Sequence, residues 1–172
     1  MESRAKAMGH PIHQMLIVFP LGLLGASVVF DVLFLVTERA TLADAAFWMI
    51  VAGLVGGLIA APFGLIDWLA IPSGTRAKRV GLYHAITNLG VMLLFLISAL
   101  VRGNAHADGT PSVHEPGPAA VILSLMGVGL ALIGGWLGGE LVDRMGVGVH
   151  DGAHVDAPNS LSGRPTTDRA SV

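Results

Sequence analysis

Four long apolar runs, about Leu16–Val36, Ala45–Ile66, Leu82–Val101 and Ala119–Leu137, limit what this chain can fold into. Each is close to the ~20 residues that cross the hydrocarbon core of a bilayer as a helix. Of the 172 residues 53% are apolar and only 13% charged, against roughly 25% charged in an ordinary soluble domain. Such a chain lacks the polar surface that water requires, so lipid is read as its solvent. The expected fold is an all-α polytopic membrane protein, a four-transmembrane-helix bundle. Its helices are placed at about 13–37, 44–67, 81–102 and 118–141, in one domain over 1–149. The first run exceeds a signal-peptide core, carries Asp31 and lacks a small-residue cleavage pattern, so it is read as a retained helix. Residues 150–172 are polar and aperiodic and are read as a disordered tail.

Two of the runs carry the same polar marks at the same spacing. The first has His13, Ser27 and Asp31; the third has His84, Ser98 and Arg102. Eighteen residues separate histidine from charge in both, about five helical turns, so each trio lies on one stripe of its helix. Ionisable groups in membrane helices are costly and face the protein interior. The stripes therefore mark the inside of the bundle, with a histidine pair at one end and Asp31 facing Arg102 as a buried charge pair at the other. The repeated spacing also suggests a two-fold internal repeat, helices one and two against three and four.

Lysine and arginine set the expected orientation. Arg4 and Lys6 precede the first helix, Arg76, Lys78 and Arg79 lie in the second connection, and Arg144 follows the fourth helix; the other side has Arg39 and Arg102. Both termini are expected in the cytoplasm, with the protein in the cytoplasmic (inner) membrane. The connection Thr37–Asp44 reads as a tight hairpin and Arg102–Gly117 as a flexible outer loop. Small-xxx-small pairs at Gly53/Gly57, Ala60/Gly64, Gly134/Gly138 and Gly135/Gly139 supply close helix packing. Pro20 and Pro62 are expected to kink their helices.

Ligand-type side chains gather at the cytoplasmic end. His10 and His13 open the first helix, Asp67 and Trp68 close the second, His84 and Asn88 begin the third, and Glu140 and Asp143 end the fourth. Trp68 and Tyr83 read as interface-belt aromatics. Absence of cysteine excludes disulfides, thiolate metal sites, covalent haem c and Cys-ligated iron–sulfur clusters. Net charge is −2 with no basic face, so nucleic acid is not expected as a partner. No phosphate loop, HExxH zinc motif or nucleophile–base triad is present, so the chain is not expected to be an enzyme on its own.

The segments HPIHQMLIVFPLGL, GLIDWLAIP, YHAITN and GGELVDRMGVGV, together with Asp31, resemble a bacterial four-helix membrane family, the domain of unknown function 2231. The resemblance covers about residues 9–149. Asp143 stands where that family carries tyrosine, and Met145 where it carries histidine. Some family members are associated with Rieske-type or cytochrome-like redox domains, so the resemblance implies redox company.

Three functions follow from these residues. The first is a haem b electron-transfer module, with His13 and His84 as axial ligands and Ser27 or Asn88 in support. The second is a divalent-metal or proton-translocating site built from His10, His13, Asp67, His84 and Glu140. The third is a non-catalytic subunit that docks a partner, for which the polar stripe serves fold specificity. A redox protein partner and a homo-oligomer accompany these readings.

Overall fold

The computed structural model describes residues 1–105 and 113–169. Its helices are α1 (Ile12–Leu16), α2 (Val18–Thr37), α3 (Ala40–Ala70), α4 (Arg76–Leu100) and α5 (Pro118–Gly139), the last running into a π-helical turn over Glu140–Arg144. Four helical stretches, Ile12–Thr37, Ala40–Ala70, Arg76–Leu100 and Pro118–Arg144, are long and apolar enough to cross a membrane. The shortest, 25 residues, spans more than the ~30 Å hydrocarbon core at 1.5 Å per residue. The protein is an all-α polytopic membrane bundle.

Local chemistry sets the ends of these helices. Pro20 has no N–H to give the Leu16 carbonyl, and regular helix lapses for one residue at Ile17, between α1 and α2. Pro62 sits inside an unbroken α3. The first reversal takes two residues, because Glu38 adopts φ 56° and its N–H bonds the Phe34 carbonyl at 2.7 Å. Thr75 caps α4 by accepting from Lys78 N at 3.2 Å, and Pro118 opens α5 where its missing N–H costs nothing.

Short strands flank the bundle, and His10 and Pro11, expected to open the first helix, lie in one of them. β1 (Lys6–Ala7) pairs with β2 (His10–Pro11), and β3 (Gly103–Ala105) pairs antiparallel with β4 (Val113–Glu115). The latter hairpin occupies both ends of the third connection; the expected flexible loop between them, residues 106–112, lies outside the described residues. Residues 150–169 form turns and bends against the N-terminal segment: His150 Nε2 lies 2.8 Å from the Gly9 carbonyl, and Ser160 Oγ lies 3.3 Å from His10 Nε2.

Helix α2 packs on α3 and α5, and α4 packs on the same two, so α2 and α4 share one diagonal of a square bundle. Apolar side chains such as Leu21, Leu58, Leu100 and Leu132 are exposed to the surround. The fully buried side chains include Ser27, Asp31, Ser98 and Ser124 beside Ile50 and Phe95. Polar groups are thus inside and apolar groups outside, as lipid demands. A layer of Leu24, Ile50, Val91 and Phe95 fills the middle of the bundle.

The two halves pack alike. A shift of 71 residues carries His13, Leu24, Ser27 and Asp31 onto His84, Phe95, Ser98 and Arg102. A shift of 74 carries Gly53, Ala60 and Gly64 onto Gly127, Gly134 and Gly138. A Cβ on Gly53 would lie 2.7 Å from Leu24 Cδ2, and one on Gly127 2.6 Å from Phe95 Cε2. Corresponding side chains therefore seat on corresponding glycines.

Candidate functional site

The histidine end is built by the same device twice. His13, in α1, lies with Nδ1 3.0 Å from the Ala60 carbonyl of α3. His84, near the start of α4, lies with Nδ1 2.9 Å from the Gly134 carbonyl of α5. A carbonyl only accepts, so each Nδ1 carries the proton and each Nε2 keeps a lone pair. Each ring rests against a glycine one turn beyond its carbonyl partner. A Cβ on Gly64 would stand 2.7 Å from His13 Cε1, and one on Gly138 3.3 Å from His84 Cε1. The small-residue pairs thus make room for imidazoles as well as for helices.

The two rings meet across the diagonal between the first membrane stretch, α1 with α2, and α4, with centroids 6.5 Å apart and planes 84° to one another. Asn88 is one turn beyond His84 and fixes it further. Its Nδ2 donates to the His84 carbonyl at 2.8 Å and lies 3.2 Å from His84 Nε2. His13, His84 and Asn88 therefore form one cluster inside the bundle.

The other ligand-type residues have different partners. Asp67 accepts from Ser3 Oγ at 2.8 Å on both oxygens and from Arg4 N at 2.7 Å, which ties the N-terminal segment to the end of α3. Glu140 pairs with Arg76 at 2.7 Å. His10 is exposed beside Ser160. Among the described residues no three His, Asp or Glu side chains are grouped to hold a metal ion. Trp68 is clasped by Lys78, whose Nζ lies 4.1 Å from the ring centroid and 2.7 Å from the Trp68 carbonyl. Outside the spans, a hydrogen bond from Lys6 lowers the Glu2 carboxyl to about 2, so it stays ionised throughout the ordinary pH range.

At the opposite end Arg102 donates to Asp31 through both terminal nitrogens, at 2.8 and 2.6 Å. The two side chains are 0% and 1% exposed. This bidentate geometry is what a charge pair needs to offset its desolvation. Ser98 donates to the Ala120 carbonyl at 2.9 Å and accepts from Ser124 at 2.8 Å. The Leu24–Phe95 layer separates this end from the histidines.

Sequence reasoning overlooked the carbonyls of Ala60 and Gly134, whose role comes from their place on the neighbouring helix. It also overlooked Asp44 and His114. His114 stacks on Phe47 with centroids 3.7 Å apart and planes 6° to one another, and its Nδ1 lies 3.2 Å from Asp44 Oδ1.

The model of the predicted membrane protein family DUF2231 matches residues 9–151, from the segment before β2 through the π-helical turn. The chain belongs to this family. No curated protein and no solved structure matches it. The matched region contains all four membrane helices, the histidine cluster and the Asp31–Arg102 pair.

Proposed function

We propose that this DUF2231 protein is a membrane-embedded electron-transfer module in which His13 and His84 would hold a haem b. The observation that carries the reading is the paired imidazole geometry: two Nδ1-protonated rings with centroids 6.5 Å apart on diagonal helices, His84 Nε2 lying beside Asn88 Nδ2. The backbone carbonyls supply the outer hydrogen bonds that hold ligating imidazoles in one tautomer and orientation. A macrocycle brings its own four equatorial nitrogens, so two protein ligands suffice. Asp67 and Glu140 are engaged elsewhere. On the other diagonal Gly64 on α3 and Gly134 and Gly138 on α5 let His13, Asn88 and His84 seat close against those helices. Asn88 would release His84 Nε2 on ligation and keep its bond to the His84 carbonyl. The bound group would supply one-electron chemistry; this chain supplies ligands, orientation and exclusion of water.

Proton translocation is less well supported, because the apolar layer of Leu24, Ile50, Val91 and Phe95 interrupts the polar stripe. A two-histidine metal-ion site uses the same pair and differs in what it binds. Lys/Arg placement favours a cytoplasmic-membrane protein with both termini inside, which puts the site near the cytoplasmic face. A redox protein, and further copies of this chain, are the partners such a module would meet.

Titration of the detergent-purified protein with haemin tests the proposal. Saturation at one equivalent per chain is expected, with His13→Ala and His84→Ala each failing to give a six-coordinate product. Stoichiometric metal without a porphyrin would assign the pair to a metal ion. Absence of saturable binding in the folded protein would remove the electron-transfer reading.

A further inference from the structure

The chain beyond the fourth membrane stretch returns to the segment before the first, and one histidine holds it there. His150 Nε2 lies 2.8 Å from the Gly9 carbonyl, and its Nδ1 lies 3.2 Å from Glu2 Oε1. A carbonyl only accepts. So does an ionised carboxylate, and Glu2 is ionised because the hydrogen bond from Lys6 lowers it to about 2. Both ring nitrogens therefore donate, and a ring that donates twice is an imidazolium. We infer that residues 150–169 are a pH-sensitive strap, clasped to the β1–β2 hairpin while His150 carries both protons and released when it loses one.

Apolar burial does not hold the strap, because Val155 and Leu161 are exposed. Polar contacts do. Ser160 crosses the hairpin with Oγ 3.3 Å from His10 Nε2. A hydroxyl donates or accepts as the ring requires, so this contact survives a change of charge on His10. Gly9 has φ 83°, and a Cβ there would stand 2.9 Å from Ser160 Cβ, so the crossing needs glycine. The other charged groups around His150 leave it as the switch. Lys6 on β1 engages Glu2, and the Asp151 N–H donates to Glu2 Oε1 at 3.4 Å. The Met1 amino group donates to the Gly146 carbonyl at 2.8 Å, before the strap begins. Imidazole is the side chain that changes charge between about pH 5 and pH 8. Glu2 stays ionised throughout that range, so the sign is fixed. The strap is closed on the acid side and opens as pH rises, because a neutral ring sets a lone pair against one of its two acceptors. Pro11 stands at the N-cap of α1. The strap thus grips the entry to the helix that carries His13 and ties that end of the bundle to the pH of the adjoining water.

The strap lies outside the membrane stretches and is measured without haemin, so it stands or falls apart from the electron-transfer reading. The chain has no cysteine. Ser73→Cys with Val155→Cys therefore takes nitroxide labels at two exposed positions only, one after α3 and one in the strap. Pulsed electron paramagnetic resonance on the detergent-purified full chain reads the distance between them. A narrow distribution is expected at about pH 5.5 and a broad one at about pH 8.5. His150→Ala should give the broad distribution at both. Glu2→Gln should keep the narrow one at about pH 8.5, because an amide N–H can donate to Nδ1 of the neutral ring while Nε2 still donates to Gly9. Helical circular dichroism should be unchanged in each protein. Should His150→Ala not fold, Glu2→Gln decides. A distribution that ignores pH, a transition that persists in His150→Ala, or a Glu2→Gln protein that opens as the wild-type chain does would overturn the inference; the second would assign the transition to the Met1 amino group.

Discussion

A buried arginine must find a counter-charge or remain uncompensated, and Arg102 shows how this chain meets that demand. Its bidentate bond to Asp31 joins residues on opposite halves of the sequence inside a lipid-facing bundle. Removing one partner should cost about 3–5 kcal/mol, because the other charge is then stranded. Asp31→Asn with Arg102→Gln should be milder than the sum of the single changes, measured by unfolding in mixed micelles; simple additivity would contradict a direct pair. Gly64 offers a second test at this scale. A Cβ there would meet His13 Cε1 at 2.7 Å, so Gly64→Ala should displace the imidazole and weaken haemin binding. Unchanged binding would mean that the ring is not held where it is described. The residues themselves were legible in the sequence, because five helical turns bring histidine and charge onto one stripe. Their hydrogen-bond partners were not. Ala60 and Gly134 contribute main-chain oxygens, and side-chain identity carries no trace of that. Asp67 and Glu140 shared the depth of the histidines, but neighbouring hydroxyl, N–H and guanidinium groups engage them instead.

At the scale of elements, hydropathy located all four helices, but their ends answer to local chemistry. Helix α3 runs from Ala40 to Ala70 because a single left-handed residue, Glu38, completes the preceding turn. Small strands were invisible because two or three residues show no period. Glycines sort by what faces them. A Cβ at Gly53 would meet Leu24 at 2.7 Å, whereas Gly22, Gly25 and Gly135 have nothing within 4 Å. Gly53→Ala should destabilise the bundle by about 1–3 kcal/mol through overpacking. Gly135→Ala should be neutral or stabilise by about 0.5–1 kcal/mol, as alanine is the better helix former. Equal effects of the two changes on unfolding in micelles would refute the assignment of inner and outer glycines. The pairs Gly134/Gly138 and Gly135/Gly139 look identical in sequence; only the neighbouring helix distinguishes them.

At the scale of the whole molecule, the fold is two similar helix pairs that present one histidine each to a shared interior. The layer of Leu24, Ile50, Val91 and Phe95 divides that interior into a histidine end and a charge-pair end. The proposed orientation rests on loop lysines and arginines: reporter fusions after Thr37 and after Val172 should lie on opposite sides of the membrane, and the same side for both would invalidate it. The central claim is that two diagonal imidazoles form one ligand pair. The most direct measurement is the oxidised and reduced absorption spectrum of the haemin-loaded protein beside its His13→Ala and His84→Ala variants. The account predicts a low-spin, six-coordinate spectrum in the wild-type chain and its loss in both variants at unchanged helical content. A low-spin spectrum that survives either substitution would contradict it.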